Sequence, residues 1–223
     1  MKGYCVMRYD DLMHKGVPRE YLAQYGYYFT PGATTVGLVA KDGVVLASEK
    51  RVTYGFTLMS KSGKKIFKIN DRLGIACAGL VSDMQSIARI LAAEARLYEL
   101  ENGRIMPVRA AAKLLSVVLF NQRLLPLLTE TIVGGIDETG PHLFVLDAIG
   151  SLIEDKYAAL GSGAQIAIGV IENAYKDGIT VDECEKIAVN AVKSAISRDA
   201  ISGDGVDVLI ITQDKALEKF YPV

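Results

Sequence analysis

An Asp-Gly pair between two short apolar runs constrains the fold of this chain more than any other feature. The first run covers residues 33–40 and the second covers residues 44–48, with Asp42 and Gly43 in the turn between them. Because glycine tolerates positive φ, an Asp-Gly pair between β-rich runs predicts a tight β-hairpin. The second run leads directly into three charged residues at positions 49–51. The hairpin therefore predicts a buried sheet with charges at the end of one strand.

A chemical hypothesis connects this hairpin with the charged residues around it. A threonine pair opens the first strand, the charged residues 49–51 end the second, and a lysine cluster, Lys61, Lys64 and Lys65, follows on the next strand. A hydroxyl near a strand start is activated as a nucleophile when its own freed α-amine accepts the proton and a lysine and a carboxylate tune the transfer. For any one of these charges alone, a solvated strand end is the ordinary explanation.

Size and charge limit the classes to which the chain can belong. Its 223 residues, 50% of them hydrophobic, suffice for one globular domain. The net charge of -1 and the pI near 6.2 give no electrostatic footprint for nucleic acid or an anionic membrane. No apolar run reaches the roughly 18 residues of a membrane span, and residues 1–32 lack the apolar region of a signal peptide. We expect a cytoplasmic protein with neither nucleic acid nor membrane as a partner.

The cysteines exclude two further classes. There are three, an odd number, and they are scattered at positions 5, 77 and 184 without the spacing of metal ligands. This pattern supports neither a disulfide framework nor a zinc site. We therefore expect a reducing compartment and no metal or organic cofactor.

The order of predicted elements indicates the fold class. A second hairpin is predicted over residues 65–79, and later strands over residues 127–135, 142–147, 151–160 and 206–212. Helices are predicted over residues 82–102, 107–120, 164–175 and 180–198, and capping-box spacings occur at Ser82–Gln85 and Thr180–Glu183. The second of these helices is apolar almost all round, which predicts burial between layers or against a neighbouring chain. Two antiparallel sheets face to face, with a helix pair outside each, bury all of these surfaces.

Five blocks of sequence resemble the β-type subunits of the archaeal proteasome core particle, a family of threonine peptidases with an N-terminal nucleophile. The blocks lie at residues 41–51, 78–80, 134–137, 161–163 and 198–203, and the resemblance runs from about residue 33 to residue 212. It implies the Ntn-hydrolase fold, an α+β four-layer αββα sandwich of two antiparallel sheets flanked by helix pairs. The element order predicts the same architecture.

The resemblance also implies roles for single residues. Glu49 matches the carboxylate that orients the lysine, and Lys65 matches that lysine, whose charge favours the deprotonated nucleophile. Gly79 matches the residue whose backbone N–H stabilises the oxyanion. Three residues match the hydrogen-bond set that supports the α-amine: Ser162, Asp199 and Ser202. Taken singly, the serines are ordinary turn residues and the aspartate is an ordinary helix-end residue.

The chain departs from the family at the nucleophile. Ala33 occupies the position of the threonine, because Glu49 and Lys65 follow it by 16 and 32 residues as they follow the family's threonine. Alanine has no hydroxyl, so in this register the subunit is catalytically silent. Thr34 becomes the N-terminal nucleophile if the chain is cut after Ala33, but its hydroxyl then needs a slip or bulge of one residue to face Lys65. Both hypotheses remain open on the sequence.

The resemblance implies an assembly as well as a site. It divides the chain into an N-terminal extension or propeptide, residues 1–33, removed by autocatalytic cleavage where a nucleophile is present, and a β-type domain, residues 34–223. It implies stacked heptameric rings with α-ring subunits and other β subunits, a regulatory ATPase reached through the α ring, and unfolded proteins as substrates. An α-type subunit fits less well, because residues 9–11 match the α-type Tyr-Asp-Arg block poorly. The bacterial two-ring relative also fits less well, because it begins directly with threonines and a basic hairpin.

Overall fold

The computed structural model describes residues 32–55 and 57–223, and the tyrosine-rich segment before residue 32 lies outside the described residues. The strands are β1 (Thr35–Ala40), β2 (Gly43–Glu49), β3 (Val52–Tyr54), β4 (Thr57–Ser60), β5 (Ile66–Lys68), β6 (Leu73–Gly79), β7 (Thr129–Asp137), β8 (Gly140–Leu146), β9 (Ile153–Glu154), β10 (Tyr157–Leu160), β11 (Val206–Thr212) and β12 (Ala216–Tyr221). The helices are α1 (Val81–Asn102), α2 (Val108–Asn121), α3 (Ala164–Ala174) and α4 (Val181–Ile196). Within this part of the chain, no helix is long and apolar enough to span a bilayer.

Two five-stranded antiparallel sheets form the middle layers. The first sheet has the order β10-β1-β2-β11-β12 and the second has the order β5-β6-β7-β8-β9, while β3 and β4 form a separate ribbon. Helices α1 and α2 share a buried apolar cluster with the second sheet, and α3 and α4 share one with the first. A third cluster fills the space between the sheets. The predicted four-layer αββα sandwich is confirmed.

The central hairpin is buried on both faces, as its continuous apolar runs predict. Along β2, Val45 joins the cluster beneath α3 and α4, whereas its neighbours Val44 and Leu46 join the cluster between the sheets. Successive strand side chains point to opposite faces, so one strand supplies both layers. Gly37 lies where the sheets approach closely, because a Cβ there would stand 2.6 Å from the Leu143 side chain. The hairpin is therefore the centre of the sandwich.

Two strand predictions are wrong in ways that involve distant pairing. Residues 151–160 do not form one strand: β9 pairs with β8 in the second sheet, and β10 pairs with β1 in the first. The chain crosses between the layers there, a step that apolar alternation alone does not reveal. The predicted final strand is also followed by another, β12, which pairs with β11 along six residues.

Helix ends and faces give one confirmed prediction and two wrong ones. The capping box at Thr180 is present, because its hydroxyl accepts from Glu183 N at 3.3 Å and the Glu183 carboxylate accepts from Thr180 N at 2.8 Å. The box predicted at Ser82 is absent, because α1 begins one residue earlier with Leu80 as its N-cap. The helical spacing of the apolar residues in α1 also predicts that Leu97 and Leu100 are buried, but they are 49% and 65% exposed. Helix α2 is likewise open on one side, where Phe120 is 52% exposed.

The two serine/threonine positions allow a matched test of helix capping. Substitution of Thr180→Ala removes the acceptor for an N-terminal N–H of α4 and should lower the free energy of unfolding by about 1 kcal/mol. Ser82→Ala removes an exposed hydroxyl whose one hydrogen bond within the described part of the chain is to Asp83, and it should change the free energy of unfolding by less than about 0.5 kcal/mol. Urea unfolding of the two variants measures the difference. Equal losses would contradict the assignment of the caps.

Candidate active site

A buried ion pair between Glu49 and Lys65 forms the centre of the site. Glu49 ends β2 and is 0% exposed, and Lys65 immediately precedes β5 and is 2% exposed. The Lys65 ammonium donates to Glu49 Oε1 and, at 2.7 Å, to the carbonyl oxygen of Arg51. The pair therefore joins the first sheet to the second, as the resemblance implies for these two residues.

The second carboxylate oxygen of Glu49 holds two backbone amides. Glu49 Oε2 accepts from Arg51 N at 2.6 Å and from Gly203 N at 3.0 Å. Both oxygens of the buried carboxylate consequently have donors, which a buried charge requires. Glu49 thereby fixes the loop at residues 199–205 as well as the lysine.

For both members of this pair, burial shifts the pKa more than their mutual attraction does. Burial raises the pKa of Glu49 above 4.5, against the opposing effects of Lys65 and of the two backbone N–H donors. Burial lowers the pKa of Lys65 below 10.5, against the attraction of Glu49. A lowered lysine pKa brings the ammonium closer to exchanging a proton near neutral pH, which suits a group that assists proton transfer.

Arg51 clamps the same loop from outside, a role that the sequence analysis missed. Its Nε donates to Asp204 Oδ2 at 2.8 Å and its Nη1 donates to the Ala200 carbonyl oxygen at 3.1 Å. Asp204 has φ +67, the one positive φ among the described non-glycine residues. A Cβ on Gly203 would stand 2.4 Å from the guanidinium carbon of Arg51. The only local signal was the charge of Arg51, because its partners lie about 150 residues further along the chain.

The three residues predicted to support the α-amine lie together around one carboxylate. Asp199 Oδ2 accepts from Ser162 Oγ and from Ser202 Oγ, each at 2.6 Å. Ser202 Oγ is in turn 2.8 Å from Thr34 Oγ1, with both hydroxyls buried. The cluster therefore connects the α3 entrance, the loop after α4 and the start of β1.

The hydroxyl of Thr34 lies on the helix side of the first sheet. A Cβ on Gly163, which precedes α3, would stand 2.0 Å from Thr34 Oγ1. The next hydroxyl, on Thr35, points to the opposite side and donates to the Cys77 carbonyl oxygen of the second sheet at 2.9 Å. The backbone amide of Cys77 also donates to the Lys65 carbonyl oxygen. By the alternation of an extended chain, Ala33 shares the side of Thr35 and Lys65, and Thr34 does not.

The segment at residues 161–163 packs against the backbone of Ala33. The Ala33 carbonyl oxygen accepts from Ser162 Oγ at 3.2 Å and from Gly163 N at 3.4 Å. A Cβ on Gly161 would stand 2.2 Å from that oxygen and 3.0 Å from Ala78 Cβ. Gly79, the predicted oxyanion donor, follows Ala78 at the end of β6 with φ +140. The seven predicted residues thus border one region of the fold.

Other chemistry has little support in the described residues. Burial raises the pKa of Cys77 and of Cys184 to about 12, so both are thiols at neutral pH and poor nucleophiles. Within the same residues, no group of three or more His, Cys, Asp or Glu side chains could hold a metal ion. The described residues of this region therefore offer hydroxyl, carboxylate and ammonium groups for chemistry, and residue 33 is alanine.

The buried pair makes a direct prediction about stability. Lys65→Met should lower the free energy of unfolding by about 3–5 kcal/mol, because it leaves the Glu49 carboxylate buried without its cation. The double variant Glu49→Gln/Lys65→Met should be more stable than Lys65→Met alone, because the stranded charge is gone. Denaturant unfolding of the three chains gives the order. A double variant less stable than Lys65→Met would contradict an uncompensated carboxylate as the cause.

Comparison with known proteins agrees with this architecture over most of the chain. A sequence model of the proteasome subunit family matches residues 29–211. Proteasome subunit beta 2 of Pyrobaculum neutrophilum is 54% identical over 194 residues, which cover 87% of this chain and 96% of the relative. Proteasome subunit beta 2 of Caldivirga maquilingensis is 56% identical over 185 residues, 83% and 92% of the two chains. Proteasome subunit beta 1 of Staphylothermus marinus is 55% identical over 184 residues, 82% and 86% of the two chains.

These relatives match at a level and coverage that show common descent over most of the described domain. The family match also spans both halves of the site, from the hairpin that holds Ala33 and Glu49 to the loop that holds Asp199 and Ser202. The chain therefore belongs to the proteasome subunit family, as a β-type subunit of the archaeal core particle.

Proposed function

We propose that this chain is a catalytically silent β-type subunit, which fills ring positions and shapes the chamber of a threonine-type endopeptidase. The observation that supports this most strongly is the orientation of residues 33–35. If the alternation of β1 continues back to residue 33, that side chain shares the side of Thr35 and Lys65, and it is alanine. The next hydroxyl, on Thr34, lies 2.8 Å from Ser202 Oγ on the helix side of the sheet, and the hydroxyl of Thr35 donates to the Cys77 carbonyl oxygen.

The remaining machinery has defined tasks if residue 33 carries a hydroxyl. Lys65, oriented by Glu49, favours the deprotonated nucleophile, and the backbone N–H of Gly79 donates to the oxyanion. The Ser162, Asp199 and Ser202 cluster supports the α-amine that accepts the proton. For self-processing, the hydroxyl adds to the Gly32 carbonyl carbon, the acyl group moves from nitrogen to oxygen, and water hydrolyses the resulting ester. Alanine removes the first of these steps.

A second candidate function retains Thr34 as the N-terminal nucleophile. The observation in its favour is the Ala33 carbonyl oxygen, which accepts from Gly163 N at 3.4 Å and lies 3.2 Å from Ser162 Oγ, so that donors are at hand to polarise it for attack. Cleavage after Ala33 would free the Thr34 amine beside Ser202. The register of the strand would then have to shift by one residue for the Thr34 hydroxyl to face Lys65. The present contacts of Thr34 oppose that movement.

The wider assignment rests on the family and is also part of this proposal. In it, residues 34–223 form the ring domain, and residues 1–33 form an extension that stays attached unless a nucleophile releases it. The particle is cytoplasmic, combines this chain with α-ring subunits and other β subunits in stacked heptameric rings, and degrades unfolded proteins delivered by a regulatory ATPase.

Restoring the hydroxyl tests this proposal as a gain of function. Ala33→Thr, assembled with its partner subunits, should release residues 1–32 and raise peptidase activity at this site at least about 10³-fold, since losing a covalent nucleophile costs more than this in comparable enzymes. Intact mass and a fluorogenic peptide assay measure the two effects.

Two controls isolate the hydroxyl in that experiment. Ala33→Val has the shape of the threonine variant without its oxygen and should remain uncut, and Ala33→Thr/Lys65→Ala should also remain uncut. If Ala33→Thr assembles but is neither cut nor active, the site lacks more than a nucleophile and the proposal is wrong. If the unmodified chain already begins at Thr34, the second candidate function is supported instead.

A further inference from the structure

A cavity lies away from the Glu49–Lys65 site, at one end of the second sheet. It has a volume of about 490 Å³ and is lined by the β5–β6 turn, the α1–α2 connection and the β7–β8 turn. Its apolar lining comes from Ile105, Pro107 and Ile136. The volume falls within the usual range of binding pockets, roughly 300–1,000 Å³.

Two arginines of this cavity have no side-chain partner among the described residues. Arg72 and Arg104 both line it, and neither side chain takes part in a hydrogen bond or ion pair within residues 32–55 and 57–223. Arg109 also lines the cavity, but its side chain forms an ion pair with Glu154, which is not a lining residue. An arginine presents several donors in a fixed fork, which matches the geometry of a carboxylate.

The acidic groups of the lining do not neutralise these arginines. Asp137 is already engaged: Oδ2 accepts from Val108 N at 3.0 Å at the start of α2, and Oδ1 accepts from the Thr139 hydroxyl at 2.6 Å. His142 donates to or accepts from Thr139 and lies 2.8 Å from Glu154. Glu138 is exposed at the rim and disfavours a second carboxylate beside it. Among the lining residues, Arg72 and Arg104 are thus the cations that remain available to a bound carboxylate.

We propose that this cavity receives an acidic segment of a neighbouring core-particle subunit. A carboxylate side chain of that segment pairs with Arg72 and Arg104, and an apolar neighbour in the segment packs on Ile105 and Ile136. Membership of the proteasome subunit family means that this chain assembles with other subunits, and the charge and apolar lining define the chemistry of the contact. The proposal is independent of whether residue 33 carries a hydroxyl.

Photocrosslinking identifies the occupant directly. A benzophenone amino acid at position 104, in chains assembled with the α-type and β-type subunits of the same organism, should crosslink to a segment that contains Asp or Glu. Mass spectrometry of the crosslinked peptide identifies the segment and shows whether it belongs to a second copy or to another subunit. A crosslink into a segment without a carboxylate, or no intersubunit crosslink in assembled particles, would overturn the proposal.

Charge reversal measures the contribution of the contact to assembly. Arg72→Glu/Arg104→Glu should reduce the yield of assembled particle about tenfold or more, because like charges would meet in the contact. The matched control is Arg89→Glu/Lys176→Glu, which makes the same change of charge at exposed positions outside the cavity, on α1 and just after α3. The control should assemble normally, and both double variants should keep the thermal stability of the isolated chain. Equal assembly by the two double variants, or an equal loss, would contradict a specific role for the cavity.

Discussion

The buried ion pair between Glu49 and Lys65 is the interaction on which the rest of the site depends. Two charges removed from water are tolerated only when every lone pair and proton has a partner. Glu49 meets this requirement by accepting from Lys65, Arg51 N and Gly203 N. These contacts require β2, the segment before β5 and the loop after α4 to meet at one point. The pair therefore determines how this end of the sandwich closes.

Such a pair is a poor device for stability alone, because apolar residues of similar volume often stabilise as well or better. Under the proposed function, its retention beside an alanine follows from descent from a peptidase whose other groups remain in place. In that proposal, strand alternation puts the side chain of residue 33 on the side of Lys65, whereas the Thr34 hydroxyl contacts Ser202 on the opposite side. The methyl group of alanine in place of the hydroxyethyl group of threonine would then be sufficient to remove the nucleophile.

Local signals in the sequence predicted those parts of the fold that depend on neighbouring residues. The turn at Gly43 and the capping box at Thr180 are defined within four residues, and both are present. The separation of β9 from β10 and the clamp of Arg51 on Asp204 depend on partners far along the chain, so no local pattern revealed them. The exposure of Leu100 has a related cause. Helical spacing shows that an apolar residue lies on the same face as its buried neighbours, but it does not show whether another part of the described chain packs against that residue. The site residues were found only because the resemblance supplied their spacing.

The intact mass of the unmodified chain, recovered from particles assembled with its partner subunits, tests the central claim most directly. An alanine at residue 33 and a Thr34 hydroxyl bound to Ser202 predict a chain that retains residues 1–33 after assembly. A mass beginning at Thr34 would contradict the account, because it would show that the bond after Ala33 is cut and that Thr34 has a free amine.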